Sequence, residues 1–590
     1  MTPGAAPRRG KVLVLGKDTR AFLAVIRSLG RRGLDVHVAW CDRRAPAARS
    51  RYVGTRHELP SPSPHDTRWR DGLLDLLARE DFDLVVPCSD PAILPLQGHT
   101  AAFAPFLGAI YLLDDHVFRI VFDKLESWAL ARSLGIPVAR RVRVRSVDDL
   151  APALASFAFP MVVKPRASFT MDRLGRKHHV RWARSPDELA SLVQALLPWG
   201  DVAVEERVAG HGAGVEVLAH EGRVLAAFQH VRIHEPPSGG GSSYRRSSAL
   251  DPALLGATQT YLAALRYTGV AMLEFRIDPA AGTWAFIEIN ARFWGSLPLA
   301  VAAGADFPWY LYQMWVQGRR QFPQGYRTGV YCRNLVNDVR WMTKSWRGRG
   351  DATSPRVPRR RILTDLLPLV TLREHSDTFV RDDPRPGFAE LWEGARRLAA
   401  TMRVRPWRRG RGAEAARQAL GEARRVLFLC KGNIYRSPFA HHLAARLFPP
   451  GVQVASCGMH PETGRACPAE AVGVAAEMGV DLRDHRSRDL SAGLLREADV
   501  VFVFDEDNYR ALRERHAWAM ARVHFLGILG DQPGVGIRDP EGGGPAAVRD
   551  VYEAIRRSVT AAARCLPVAE RRVPIAVRPP LGAAGAREQP

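Results

Sequence analysis

The segment Cys430-Lys-Gly-Asn-Ile-Tyr-Arg436-Ser437-Pro438 constrains this chain more than any other. It stands between an apolar, strand-like run, Val426 to Leu429, and a helical run, Phe439 to Leu447. Cysteine, five residues and arginine let a loop curl around one tetrahedral oxyanion. The backbone N–H groups of Lys431, Gly432, Asn433, Ile434, Tyr435 and Arg436 would point inward, and the following helix adds its positive end. Gly432 and Asn433 suit the left-handed turns that such a curl demands. The same field favours the thiolate of Cys430, a nucleophile aimed at phosphorus. Arg436 can grip two phosphoryl oxygens with its planar fork, and Ser437 can donate a hydrogen bond to the sulfur when it leaves. A departing ester oxygen also needs a proton. Asp539, before Pro540 in a Gly-rich loop, is the candidate acid.

Residues 424 to 566 resemble the low-molecular-weight protein-tyrosine phosphatases. The resemblance rests on CKGNIYRSP, VASCGM (Val454 to Met459), DHRSRDLS (Asp484 to Ser491), ADVVFVFDEDN (Ala498 to Asn508) and IRDPEG (Ile537 to Gly542). It implies a flavodoxin-like parallel sheet and a cysteinyl-phosphate on Cys430. It further implies that Asp539 first protonates the leaving group and then activates water, while Ser456 braces the turn of Asn433. Many relatives carry a second cysteine where this chain has Tyr435, so disulfide protection of the nucleophile is not expected. Cys457 and Cys467 read as buried small residues. Ile434, where phosphoarginine-specific members carry Thr, leans the pocket toward aryl phosphates such as phosphotyrosine.

With 590 residues the chain has room for several domains. Seven cysteines without CxxC spacing argue against a disulfide scaffold and fit a cytoplasmic setting. No apolar run reaches the roughly 18 residues of a membrane span. The formal charge is +23, but only seven of the 84 basic residues are lysines, which reads as an arginine-rich background rather than a nucleic-acid surface. Between Arg340 and Arg425, 21 basic and 10 acidic residues give a net +11, so residues 331–423 are expected as a basic linker with short helices. Trp341, Trp346 and Trp407 sit among its arginines. Residues 1–10 and 567–590 read as disordered tails.

In the first half, KVLVLG (Lys11 to Gly16), DVHVAW and DLVVPCSD alternate with helical stretches, so 11–115 is expected as a small α/β domain with a parallel sheet. Farther on, VAMLEFRIDPAAGTWAFIEINARFWGS reads as an antiparallel hairpin about the turn Asp278 to Thr283. Folding it sets Glu274 opposite Glu288, with Asn290 and Arg292 on the face of Glu288. Two carboxylates and an amide oxygen are hard ligands suited to Mg²⁺, and Arg292 could hold a transferring phosphoryl group. Lys124 and Lys164, rare lysines in this chain, could reach ATP phosphates. VAVEERVAG places Glu205 and Glu206 at the end of a strand.

This order resembles the ATP-grasp superfamily over residues 11 to 330, with a pre-ATP-grasp α/β domain followed by an α+β ATP-grasp domain at 116–330. The resemblance implies Lys124 and Lys164 on ATP phosphates, Glu205 and Glu206 at the adenine hinge, and Glu274, Glu288 and Asn290 on magnesium. INARFWGSLPLAVAAGADFP is similar to the carboxylate–amine ligase and carbamoyl-phosphate-synthase-like branches, which make an acyl phosphate for an amine to attack. Where a ribose-binding acid is usual stands Ala213, with Glu216 as a substitute. PPSGGGSSYRRSS (Pro236 to Ser248) reads as a mobile lid with Arg245 and Arg246 in solvent or near an anionic substrate. The expected whole is an α/β multidomain ligase–phosphatase fusion with ATP, an unknown carboxylate and amine, and a phosphotyrosine protein as partners. A nucleotide-sensing module that regulates the phosphatase and a scaffold on an acidic surface stand as alternatives.

Overall fold

The computed structural model describes residues 10–17, 20–64, 66–174, 177–236, 241–346, 358–371, 373–403, 411–459, 463–530, 536–541 and 544–566. Both tails expected as disordered lie almost wholly outside the described residues. The chain forms two compact units, Met1–Leu398 and Ala399–Pro590.

The first unit begins with Lys11–Leu15, whose apolar residues are fully buried. It lies between Asp35–Ala39 and Leu84–Pro87 as their parallel neighbour, and Thr55–Arg56 completes a four-stranded sheet. The helix Ala21–Arg31 returns the chain between the first two strands, and Gly33, at φ 85°, makes the left-handed turn that ends it. A second sheet orders Arg141–Val144, Val202–Glu205, Met161–Pro165 and Arg181–Ala183, all antiparallel. The third has seven strands in the order Thr283–Asn290, Gly269–Asp278, His211–His220, Arg223–His234, Tyr244–Ser248, Tyr331–Arg333 and His375–Ser376. One core joins Val12, Val14 and the helix Ala21–Arg31 to Trp294, Leu297, Phe307 and Leu311, so the parallel sheet and the end of the hairpin share packing.

The last two strands of this sheet correct the expected linker. Residues 331–398 are in large part a piece of the first unit, held by its acids. Asp383, fully buried, accepts from Arg27 Nε at 2.9 Å, Ser50 Oγ at 2.6 Å and the Arg51 N–H at 3.0 Å. Asp338 accepts from Ser243 Oγ at 2.6 Å and lies 2.8 Å from His234 Nδ1. Asp377 pairs with Arg245, Glu374 with Arg333, and Asp382 with Arg31 and Tyr52. Net charge is a sum and cannot show that each acid here meets a cation from an earlier element. Trp341 is likewise buried, its ring stacked 3.6 Å from that of His234. Trp346 is exposed, and Trp407 lies outside the described residues.

The expected lid changes in the same way. Residues 237–240 are outside the described set, but Tyr244–Ser248 is a sheet strand, and Arg245 is buried on Asp377 and the Gly295 carbonyl. Arg246 faces solvent.

The second unit is a parallel four-stranded sheet in the order Gln453–Gly458, Arg425–Cys430, Val500–Val503, Val523–Phe525. Helices Arg436–Leu447 and Gly544–Ala563 pack on it. The helix Arg411–Gly421 belongs to the same core through Ala413, Ala416 and Leu420, so the unit starts ahead of the strand that opens its sheet. Among the described residues no helix is long and apolar enough to cross a membrane.

Candidate active sites of the two units

Cys430 ends the central strand of the second unit, and the loop after it closes into the helix Arg436–Leu447. The sulfur lies 3.0 Å from Ser437 Oγ and accepts the Asn433 N–H at 3.2 Å. Asn433 holds the curl open. Its φ is 52°, left-handed, and its buried amide donates to Ser437 Oγ at 2.9 Å and to Ser456 Oγ at 3.0 Å while its Oδ1 accepts the Arg488 N–H at 2.9 Å. The Asn433 carbonyl accepts from His485 Nε2 at 3.1 Å. Asn433 donates into the Ser437 oxygen, and the Ser437 hydrogen has two acceptors in reach, the sulfur at 3.0 Å and the Cys457 carbonyl at 3.4 Å.

Arg436 is 1% exposed. It bonds Asp505, the Ile537 carbonyl at 3.0 Å and Asp539 Oδ2 at 3.0 Å. Burial opposes its charge, but Asp539, Cys430 and Asp505 outweigh that and raise its pKa. The guanidinium therefore stays a cation beside the sulfur, and the acid candidate Asp539 shares its fork. Lys431 is exposed at the loop's outer edge, and Ile434 is half-buried beside Gly432. Tyr435 turns inward: its hydroxyl donates to Glu470 at 2.5 Å, and its carbonyl accepts from Tyr552 at 3.3 Å. Cys457 and Cys467 are free and buried; burial raises both thiols, Cys467 to about 12.

Asp505, Glu470, Arg488 and His485 were given no role from the sequence. Asp505 had a local signal, since it follows the strand Val500–Val503 and caps the helix Glu506–Arg515 by accepting the Asn508 N–H at 2.8 Å. The others reach the loop only through tertiary folding.

In the first unit, the strand register sets Glu274 directly opposite Glu288 and Asn290 opposite Met272. A bulge follows Glu274. Asn290 Nδ2 donates to Glu274 Oε1 at 3.1 Å, so the three side chains converge. Each acid also meets a cation: Glu288 bonds Lys124, and Glu274 accepts from Arg232 at 2.7 Å. Burial works to raise the Glu288 carboxyl, yet Lys124 beside it holds it well below the usual carboxylate range. A cavity of about 190 Å³ opens here, lined by Asp90, Lys124, Phe169, Glu288 and Asn290 among others.

Lys164 is buried and pairs with Glu205 at 2.7 Å across adjacent strands. Burial lowers the Lys164 pKa, with Glu205 working against that. Glu205 also takes Arg141 Nε at 2.8 Å, so its carboxylate is committed to two cations rather than turned outward. Glu206 faces the other way and accepts from Arg140. Arg292 pairs with Asp90 and donates to its neighbour's carbonyl at 3.0 Å. Glu216 is fully buried, bonded to Ser296 Oγ at 2.7 Å and 2.9 Å from His230 Nδ1. Arg232, Asp90 and Arg141 were not foreseen, because their partners lie on other elements.

The sequence profile of the low molecular weight phosphotyrosine protein phosphatases matches residues 425–570. The probable low molecular weight protein-tyrosine-phosphatase EpsP of Ralstonia nicotianae is 33% identical over 136 residues, 23% of this chain and 91% of that protein. The low molecular weight protein-tyrosine-phosphatase Wzb of Salmonella typhi is 30% identical over 142 residues, 24% of this chain and 93% of that protein. Among solved structures, the L-amino acid ligase from Bacillus licheniformis overlays 53% of this chain and 75% of its own, with 18% identity and a TM-score of 0.41. The curled loop on Cys430, Arg436 held between two carboxylates and the matches over nearly whole relatives agree: through its second unit this chain belongs to the low molecular weight protein-tyrosine phosphatase family.

Proposed function

We propose that the second unit hydrolyses aryl phosphate esters, phosphotyrosine on protein foremost, through a phosphoenzyme on Cys430. The observation that carries this reading is the Cys430 sulfur held between the Ser437 hydroxyl and the Asn433 N–H, with Arg436 and Asp539 over the same loop. The thiolate attacks phosphorus; the S–P bond forms as the P–O ester bond breaks, and Asp539 gives its proton to the departing oxygen. Asp539, now a carboxylate, takes a proton from water. That water attacks phosphorus, the S–P bond breaks, and the thiolate returns under the Ser437 hydrogen bond as orthophosphate leaves. Arg436 and the loop N–H groups Lys431 to Arg436 would hold the equatorial oxygens. Cys430→Ser should abolish turnover of an aryl phosphate with the fold intact, and residual turnover by that variant would overturn the assignment. Asp539→Asn should slow ester hydrolysis by roughly 10²–10⁴, less for leaving groups that need no proton.

For the first unit the reading is an ATP-grasp ligase of the carboxylate–amine type, with an acyl phosphate between its two half-reactions. Support comes from Glu274, Glu288 and Asn290 meeting at one place in the hairpin register. Three hard oxygen donors fit Mg²⁺, which when bound would neutralise and orient triphosphate oxygens. Lys124 and Arg232, now on the two acids, supply charge that a bound nucleotide would share. Lys164 would reach phosphate oxygens, with Glu205 as its positioning partner and the Glu205–Glu206 backbone at the adenine edge. Arg292, paired with Asp90, would meet the transferring phosphoryl group. ADP release by the full chain, screened against carboxylate and amine pools with Mg²⁺, should appear in the wild type and vanish in Glu288→Gln. An ATP-induced thermal shift without any substrate-dependent ADP release would favour a nucleotide sensor instead.

A further inference from the structure

A cavity of about 400 Å³ opens in the second unit beside the braced loop, lined by three histidines, Ser456, Asp484 and two arginines. Cys430 is not among its walls. His441 and His442 are adjacent on the helix Arg436–Leu447, and His485 comes from the loop after Leu482. One nitrogen from each ring lies within 4.8 Å of the other two. We infer that His441, His442 and His485 form a binding site for one divalent transition-metal ion, Zn²⁺ or a borderline-soft ion like it.

Two features of the site support this. Imidazole nitrogens suit Zn²⁺, Cu²⁺, Ni²⁺ and Fe²⁺ rather than the oxygen-seeking Mg²⁺ and Ca²⁺. Second, a hydrogen bond already sorts one ring. His485 Nε2 donates to the Asn433 carbonyl at 3.1 Å, which leaves the lone pair of the neutral ring on Nδ1, while His441 Nδ1 lies 3.3 Å from Ser456 Oγ. These contacts are the second-layer partners a histidine ligand uses to fix its tautomer.

Geometry sets the cost. Zn–N bonds of about 2.0–2.1 Å in a tetrahedron put ligand nitrogens roughly 3.3 Å apart, so separations within 4.8 Å close by at most about 1.5 Å, shared between the rings. Two cations stand at the site. Arg486 is tied back to the carbonyls of Arg483 and His485 at 3.0 and 2.9 Å, and Arg488 reaches the Ser456 carbonyl at 3.4 Å. Asp484 on the cavity wall opposes them, while Asp481 is itself paired with Arg483 at 2.6 Å.

Co²⁺ is the probe, titrated into metal-free full-length protein with excess Mg²⁺ to fill oxygen sites. The wild type should take up one equivalent with the visible absorption of four- or five-coordinate, nitrogen-bound Co²⁺. Cys430→Ser should keep that band, and His442→Gln should weaken it at least tenfold while its phosphatase rate in metal-free buffer is unchanged. No band, equal titration of His442→Gln and wild type, or loss of the band in Cys430→Ser would each overturn the site, the last in favour of the thiolate. A second measurement needs no variant: Zn²⁺ should protect His441 and His442 from carbethoxylation, read by mass spectrometry of the helix peptide. Equal modification with and without Zn²⁺, or protection by phosphate in place of Zn²⁺, refutes the inference. Neither readout depends on turnover, so the phosphatase assignment can fail while the metal site stands, or the reverse.

Discussion

Asp383→Asn tests whether residues 331–398 are structure or tether. The substitution keeps shape and removes only charge and one acceptor. Asp383 Oδ2 takes both Arg27 Nε and Ser50 Oγ, and Oδ1 takes the Arg51 N–H. An amide cannot serve both sides, because its nitrogen would face donors wherever it is placed. Arg27 is 4% exposed, and burial already lowers its pKa with Asp383 as the main opposing influence. Stripped of that partner it becomes an uncompensated buried cation, which costs about 3–5 kcal/mol. The assay is urea unfolding of the full chain, with the first unit followed by tryptophan fluorescence and the second by phosphatase activity. The first transition should shift by that amount and the second should stay. Arg27→Met/Asp383→Leu should recover part of the loss, since removing both charges leaves no unpaired ion. A loss below about 1 kcal/mol in Asp383→Asn, the range of a surface ion pair, would return this segment to a loose connector.

Other outcomes follow from the same geometry. Asn433→Ala removes three side-chain hydrogen bonds and puts a non-glycine, non-Asn residue at φ 52°, so kcat of the phosphatase should fall by at least tenfold with a stability loss of about 2–5 kcal/mol; activity within twofold of wild type would remove Asn433 as the brace. Glu205→Gln leaves Lys164 and Arg141 buried without their carboxylate and should abolish the ATP-dependent thermal shift of the first unit, whereas Glu206→Gln should leave it. The two units should respond oppositely to pH. Burial opposes the proton on His234, but Asp338 and Asp365 outweigh it and hold its pKa above 6.5, so its contribution is complete below that pH and fades as pH rises through the folded value; His234→Gln should flatten this limb. In the second unit burial pushes His441 and His524 down to about 4, so the unfolded chain gains protons first and stability should fall between pH 6.5 and 4, as thermal unfolding across that range would show.

The loop on Cys430 was legible because its chemistry is local. Strand, curl and helix are consecutive, and the Asn433 N–H and Ser437 hydroxyl that meet the sulfur come from the same short run. The hairpin face was legible for a related reason: alternation of side chains and one turn fix which residues share a face, and Glu274 stands opposite Glu288 in the register. What surrounds those residues was not legible. Asp539 is readable as the acid, but not that it shares Arg436 with Asp505, from 103 and 69 residues away, and Arg232 reaches Glu274 from a strand that is not its neighbour in the hairpin.

The basic stretch after Gly318 shows the same divide in its sharpest form. Composition registers its surplus of arginine, but a sum of charges is blind to pairing, and pairing is what folds Asp338, Asp377 and Asp383 into the first unit. Glu205 offers the converse case. Its place at a strand end is written in the local pattern, while its carboxylate is claimed by Lys164 from one neighbouring strand and Arg141 from the other. The sequence by itself therefore determined the reactive cysteine loop, the hairpin face and the sheet-forming runs, all of which depend on neighbours a few residues apart. Only the tertiary structure decided which distant charge each buried group would meet, because a desolvated ion is stable only beside a partner that folding must bring to it.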